Sequence, residues 1–295
     1  VAHAYADINK DFEKAAEEWM ASRPITLDLY NREKNLTAYY FENVGNVTCF
    51  NQFDLDLFSA FEEAANQWYD DKALLGSIVL DLTTAVLPPL LVQARSCANP
   101  DIFRKDESTF NAMTTEVLKK NPLMAKTYDD ISNEIGYLTK GQIPSNQSCV
   151  QSVSDLVEVY RLSSISGFVN QTNGYPFVAK LVYAIIPDMI KMSQKCLVGN
   201  DEALFNDAFD YWFNNNPDQK AYYDQQDDMV VSLTKILAHD DLCAQRLNRQ
   251  LQADLQTAYA QFRNGTARIG DLAMRLLHVS LADTVNQARY CLSAQ

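Results

Sequence analysis

The sequence predicts an all-α chain of three tandem four-helix units of about 97 residues each, every unit holding one disulfide-clamped αα-hairpin, stacked as a short helical array. Three observations carry this. The cysteines fall in evenly spaced pairs: Cys49/Cys97 and Cys243/Cys291 are 48 residues apart, and Cys149/Cys196 are 47 apart. Upstream of each pair, Phe12, Phe110 and Phe205 each stand 12 residues before a proline (Pro24, Pro122, Pro217) and 18 before a tyrosine (Tyr30, Tyr128, Tyr223). Nine Gly and nine Pro in 295 residues, with few period-2 apolar runs, argue against a sandwich or barrel. Self-similarity at a fixed period is the signature of a repeat architecture, and it sets the units at 1–97, 98–196 and 197–295.

The first helix of the first unit is read from Ile8, Phe12, Ala15, Ala16 and Trp19, apolar at helical spacing. Ser22 is expected to cap a second helix that Pro24 opens, because the fixed φ of proline suits a first turn. Asn121-Pro122 and Asn216-Pro217 make the same junction, with asparagine as N-cap.

The third helix is expected to start at the first cysteine of each pair, capped by Thr48 or Ser148, with Asp240 and Asp241 nearby in the third unit. Its apolar stripe runs Phe50, Phe53, Leu57, Phe61, Trp68 in the first unit and Leu247, Leu251, Leu255, Tyr259, Phe262 in the last. After a polar turn, a fourth helix returns to the second cysteine. An antiparallel hairpin brings the start of its first helix beside the end of its second, so Cys49–Cys97, Cys149–Cys196 and Cys243–Cys291 are the expected bonds. The rival pairing, Cys97–Cys149 and Cys196–Cys243, breaks the repeat.

The fourth helices differ. Leu74 to Val92 and Phe177 to Ile190 are apolar nearly all round, which predicts burial on several sides. Asp271 to Arg289 mixes Arg275, His278 and Asp283 with leucines, as a terminal cap of an array would. The run Leu74 to Val92 carries Asp81 and the Pro88-Pro89 pair, so it reads as a buried helix and not a membrane span.

Paired cysteines point to an oxidising compartment, and so do five glycosylation sequons at Asn35, Asn46, Asn146, Asn170 and Asn264. Asn46 and Asn146 each stand three residues before a cysteine; Asn170 and Asn264 each stand 21 after one. The start, Val1-Ala2-His3-Ala4, has no basic or apolar leader and reads as the beginning of a processed, secreted chain. A formal charge of −13 disfavours nucleic acid and anionic membranes as partners.

No catalytic group is expected. His3, His239 and His278 share no metal-ligand spacing, and His239-Asp240-Asp241 reads better as an acidic turn than as a cation site. Gly-x-Ser-x-Gly, phosphate-loop, His-Glu-x-x-His and EF-hand patterns are absent from the sequence. Asp54/Asp56 and Asp227/Asp228 read as solvated helix faces, and an extracellular hydrolase using carboxylates has no local motif. Tyr30, Tyr128 and Tyr223 read as helix-contact residues, whereas Tyr39-Tyr40, Tyr211-Trp212-Phe213 and Tyr222-Tyr223 suggest a contact surface or a cavity lining.

The expectation is therefore a secreted, non-enzymatic glycoprotein without cofactor or metal. It would be a structural or assembly subunit or an interaction scaffold, binding itself, head to tail, or another extracellular protein. The first unit lacks a sequon after Cys49 and the third lacks one before Cys243, and these bare corners are the expected docking points. The alternative is a carrier of lipid or another hydrophobic small molecule between the fourth helices of the first two units.

Overall fold

A computed structural model of the chain describes residues 2–139, 143–168, 173–236 and 242–293. Among the described residues the backbone is helical almost throughout, and the only extended pairing is two isolated antiparallel bridges, Val44 with Ala98 and Ser145 with Leu197. The α-helices run α1 (Ala2–Ala21), α2 (Pro24–Glu42), α3 (Val47–Tyr69), α4 (Leu75–Asp81), α5 (Leu87–Ala94), α6 (Pro100–Lys120), α7 (Pro122–Thr139) and α8 (Gln147–Phe168). They continue as α9 (Tyr175–Lys180), α10 (Ile186–Lys195), α11 (Asp201–Asn215), α12 (Pro217–Ile236), α13 (Leu242–Arg263), α14 (Ile269–Arg275) and α15 (Ala282–Ser293).

Three π-helical segments, Leu82–Val86, Leu181–Ile185 and Leu276–Leu281, interrupt the helices leading to Cys97, Cys196 and Cys291. Each opens 15 residues ahead of its cysteine. In the first, the Leu87 N–H donates to the Leu82 carbonyl, five residues back. Pro88 lacks an N–H, and its ring would collide with the carbonyl four residues earlier; a wider turn relieves both faults. Pro187 follows the second segment in the same way, but Ala282 holds that place after the third, so proline is not required for the widening.

The chain divides into two compact units, 1–125 with 151–185 and 126–150 with 186–295. The division does not fall at residues 97 and 196; the middle third of the sequence contributes to both units. In the first unit Phe12, Met20, Leu36, Tyr40, Leu91, Phe110, Leu156 and Ile165 are buried, each apolar side chain of this size contributing about 1.5–3 kcal/mol. The core of the second holds Ile131, Leu138, Phe205, Phe262, Ala273 and Leu277.

Glycine lets a tryptophan ring come close to a helix backbone in both units. A Cβ on Gly76 would sit 2.7 Å from Trp19, and one on Gly270 would sit 2.8 Å from Trp212. The two tryptophans each stand seven residues after a signature phenylalanine, and the two glycines each stand 21 before a closing cysteine.

The helix ends depart from the sequence reading. The Ser22 hydroxyl turns back to the Trp19 carbonyl, and α2 begins without a side-chain cap. Asn121 and Asn216 stand at the N-cap position of α7 and α12, their carbonyls accepting from the Ala125 and Lys220 N–H at 2.9 and 3.0 Å, while their Nδ2 groups donate backwards to the carbonyls of Val117 (2.7 Å) and Trp212 (2.9 Å) and so close α6 and α11 as well. Caps for α3 and α8 come from Asn46 and Asn146, not Thr48 and Ser148, because both helices start two residues before the cysteine and a capping oxygen must reach the third helical N–H. Asp240 and Asp241 lie outside the described residues.

Two further expectations are corrected. The fourth-helix stretch Leu75–Cys97, apolar and long enough by composition to cross a bilayer, buries Ile78, Val79, Leu82, Leu87 and Leu91 but leaves Leu80 exposed, as is Tyr183 of the next such stretch; each buries one side only. Tyr39, Tyr40, Trp212 and Phe213 are buried, so these four serve the core and not a surface, whereas Tyr222 is exposed and Tyr211 and Trp212 border a small void.

Candidate functional site

The six cysteines form Cys49–Cys97, Cys149–Cys196 and Cys243–Cys291, with Cα–Cα distances of 5.3, 5.4 and 6.0 Å, inside the range that a disulfide spans. Closing loops of 48, 47 and 48 residues stabilises the fold by about 4 kcal/mol each in the chain-entropy model. The first two clamps carry the same polar knot. Asn46 Oδ1 accepts from the Cys49 N–H at 3.1 Å while the Asn46 N–H donates to the Cys97 carbonyl at 2.9 Å. Asn146 Oδ1 accepts from the Cys149 N–H at 3.1 Å and the Asn146 N–H donates to the Cys196 carbonyl at 2.8 Å. One asparagine therefore ties both cysteines of its clamp.

Both asparagines open a sequon and are exposed, so the carbonyl end of the amide caps a helix while the nitrogen end is the atom an N-glycan would use. Asn35, on α2, and Asn264, at the end of α13, are exposed too. Asn170 lies outside the described residues.

The signature phenylalanines are buried, each against an aromatic ring 19 residues after the opening cysteine. Phe12 meets Trp68 at 6.1 Å, Phe110 meets Phe168 at 6.2 Å and Phe205 meets Phe262 at 5.8 Å. Pro24, Pro122 and Pro217 each occupy the first position of a helix. Tyr30, Tyr128 and Tyr223 are half-buried; burial pushes the Tyr30 phenol up to about 12 and raises that of Tyr223, which packs on Phe213 at 4.9 Å.

In the first compact unit a four-charge cluster joins the end of the first clamped hairpin to α6 and α8. Arg95 reaches Glu158 at 3.3 Å and Glu107 at 3.7 Å while its guanidinium lies 4.6 Å over the Phe103 ring. Arg161 bonds Glu107 at 2.6 Å and Glu158 at 2.7 Å, and these carboxylates hold it charged. Beside them the Tyr39 hydroxyl donates to Asp106 at 2.8 Å. Asp28 takes Arg32 at 2.9 Å and Lys180 at 2.7 Å; the two cations outweigh its partial burial and lower its pKa. Glu33 is different: it is buried, neither carboxylate oxygen has a hydrogen-bond partner, and desolvation raises its pKa well above the usual range.

The second unit makes its own junction. Tyr137 stacks on Tyr211 with ring centres 3.9 Å apart, and Arg263 pairs with Asp201 at 3.2 Å while donating to the Leu197 carbonyl. The turn after α13 rests on α10 so closely that a Cβ on Gly265 would lie 2.2 Å from the Lys191 carbonyl oxygen. Glu134 is buried, accepts from the Ile269 N–H at 3.0 Å and stands 3.6 Å from Arg268; burial pushes it up to about 7, with Arg268 opposing. Burial also raises Asp130, one helical turn away. These two acids border a void of about 10 Å³, room for one water and no substrate.

His278 stacks on Tyr222 at 5.3 Å with Gln219 3.2 Å from its Nε2. His239 lies outside the described residues, as does the His3 side chain. Among the described residues no three of His, Cys, Asp and Glu gather as a metal site requires. The two larger open grooves described here lie in the first unit. One of about 510 Å³ runs beside Cys49–Cys97 over Phe53, Leu90, Val92 and Ala94; the other, of about 340 Å³, lies between α1 and α3. Comparison with family models, with curated proteins and with solved structures finds no match to this chain.

Proposed function

We propose that the chain is a secreted, non-enzymatic glycoprotein in which three disulfide-clamped helical copies stack into a short array serving as an assembly subunit or extracellular interaction scaffold. The observation that carries this reading is that the closing end of each of the first two copies meets the copy after it, through different residues at the two boundaries. Arg95, two residues before Cys97, engages the third helix of the next copy through Glu158, and α10, ending just before Cys196, lies under the turn that follows the third helix of the last copy at Gly265. The π-helical segments, the Phe–aromatic pairs and the asparagine knots recur in the same frame and support it. Stacked copies offer extended surfaces, and stapled copies resist opening outside the cell.

The experiment is native mass spectrometry of the protein from secreting eukaryotic cells, with peptide mapping of glycans. Glycans on Asn46 and Asn146, and masses of multiple copies or of an added protein, support the reading; an unglycosylated chain counts against it. A second reading, a carrier of lipid or another hydrophobic small molecule, draws on the apolar groove of about 510 Å³ beside Cys49–Cys97. That carrier would fly with bound lipid and as a single copy.

A further inference from the structure

Asn46 caps α3 on the side of the helix that Cys49, Gln52, Phe53 and Asp56 continue at spacings of three and four. That side borders the groove of about 510 Å³ beside Cys49–Cys97. The Asn46 N–H donates to the Cys97 carbonyl, so the asparagine stands where the groove begins. From Asn46 to Asp56 the helix rises by about 15 Å, a length within reach of the first two rings of a sugar chain.

The groove is apolar beneath and polar at its edge. Buried Phe53 and half-buried Leu90 form its floor, while exposed Gln52, Gln93 and Ser96 and half-buried Asp56 form its rim. Asp56 takes a bond from Gln52 Nε2 at 2.8 Å on one of its two oxygens. A sugar ring offers C–H groups on a face and hydroxyls around its edge, which matches floor and rim together; a wholly apolar guest would dry the rim groups and give them no hydrogen bonds.

Asn146 supplies the comparison, because it makes the same knot with Cys149 and Cys196. Seven residues after Cys149, where the first clamp has Asp56, stands Leu156, 1% exposed. Seven before Cys196, where the first clamp has Leu90, stands Met189, 5% exposed. These matching positions are closed to solvent, so a sugar on Asn146 has no such bed.

Resting on the glycoprotein reading above, we propose that the groove beside Cys49–Cys97 is the seat of the sugar carried by Asn46, its first N-acetylhexosamine rings lying along α3 over Phe53 and Leu90 and hydrogen-bonded to Gln52, Asp56 and Gln93. The attachment is the one a sequon receives: Nδ2 gives up a proton and displaces a lipid-linked pyrophosphate from C1 of the sugar, and Oδ1 keeps its bond from the Cys49 N–H. A seated sugar fills the space a lipid would need, so the two uses of the groove exclude each other.

The test is timed release of N-glycans by a peptide N-glycosidase from the folded, disulfide-intact protein made in secreting eukaryotic cells, each site being followed by glycopeptide mapping. Asn46 should be released at least about tenfold more slowly than Asn146, and reduction with denaturation should bring the two rates together. The backbone knots are alike, so they do not account for a difference. Gln52→Ala with Gln93→Ala trims two exposed rim side chains; this variant should melt near wild type and speed release at Asn46 about tenfold. It also reads Asn46 against itself, whatever Asn146 carries. Release from the folded protein as fast at Asn46 as at Asn146, or a rate at Asn46 indifferent to the rim variant, would overturn the proposal while leaving the glycoprotein reading in place. A chain without sugar at Asn46 overturns it as well, and one without sugar at any sequon removes the reading beneath it.

Discussion

Glu134 accepts a hydrogen bond from the backbone N–H of Ile269, 135 positions along the chain, in a site closed to solvent. Its carboxyl group is pushed from 4.5 up to about 7, chiefly by burial. The folded state thus holds a proton that the unfolded chain gives up near 4.5. The resulting stability is fully present below about pH 4.5 and is lost as pH rises through 7, by about 3 kcal/mol. Glu33 acts in the same direction. Urea midpoints measured from pH 4.5 to 8 should fall with pH, and Glu134→Gln should flatten that slope.

Asn46 has two separable duties. Asn46→Ala removes the cap on α3 and should cost about 1 kcal/mol, whereas Asn46→Asp keeps an accepting oxygen at the N-cap and should cost less than about 0.5 kcal/mol. Both delete the sequon. Denaturant titration read beside glycopeptide mapping separates the cap from the sugar; equal losses of stability would place the effect on the glycan.

A methyl group at position 76 has nowhere to go. Gly76→Ala sets a Cβ 2.7 Å from the Trp19 ring and should destabilise the protein by about 1–3 kcal/mol through overpacking. Trp19 should report it in fluorescence. Gly167→Ala, whose added Cβ would meet only Phe177 at 3.7 Å, is the matched control and should change little.

A glycan can be placed at the bare corner after α3, which the sequence marks as an expected docking point. Asp70→Asn with Lys72→Thr creates a sequon in the exposed turn after α3 and removes the 2.8 Å pair between those side chains, worth under about 1 kcal/mol at the surface. The glycosylated variant should melt near wild type and stay monomeric in sedimentation. Growth past a dimer with the glycan confirmed would count against docking at this turn.

Much of the helical layout is legible in the sequence because few residue types can serve at its fixed points. Proline marks the first turn of α2, α7 and α12, and the paired cysteines mark where the third helix starts and the fourth ends. Thr48 and Ser148 look like caps in the sequence because Asn, Ser and Thr share one capping chemistry, and only the position of the first turn decides among them. The π-helical segments left no local trace, since Pro88 and Pro187 are replaced by Ala282 in the third and the widened turn forms regardless. Glu134 was invisible for another reason: its partners Arg268 and Ile269 lie far along the sequence, and nothing around it on α7 announces burial. The same holds for Gly265 on Lys191, where a glycine that reads as an ordinary helix terminator proves to be a close backbone approach.

The three sulfur bridges also govern how this molecule would respond to being pulled. Tension applied at the termini runs through each bridge and bypasses the chain between its cysteines, which stand 48, 47 and 48 positions apart, so nearly half of the polypeptide cannot lengthen. Only the opening helix pairs ahead of Cys49, Cys149 and Cys243 are free to pay out. A strand of such molecules would be short in reach and abruptly stiff, and adding a reductant should roughly double its extension.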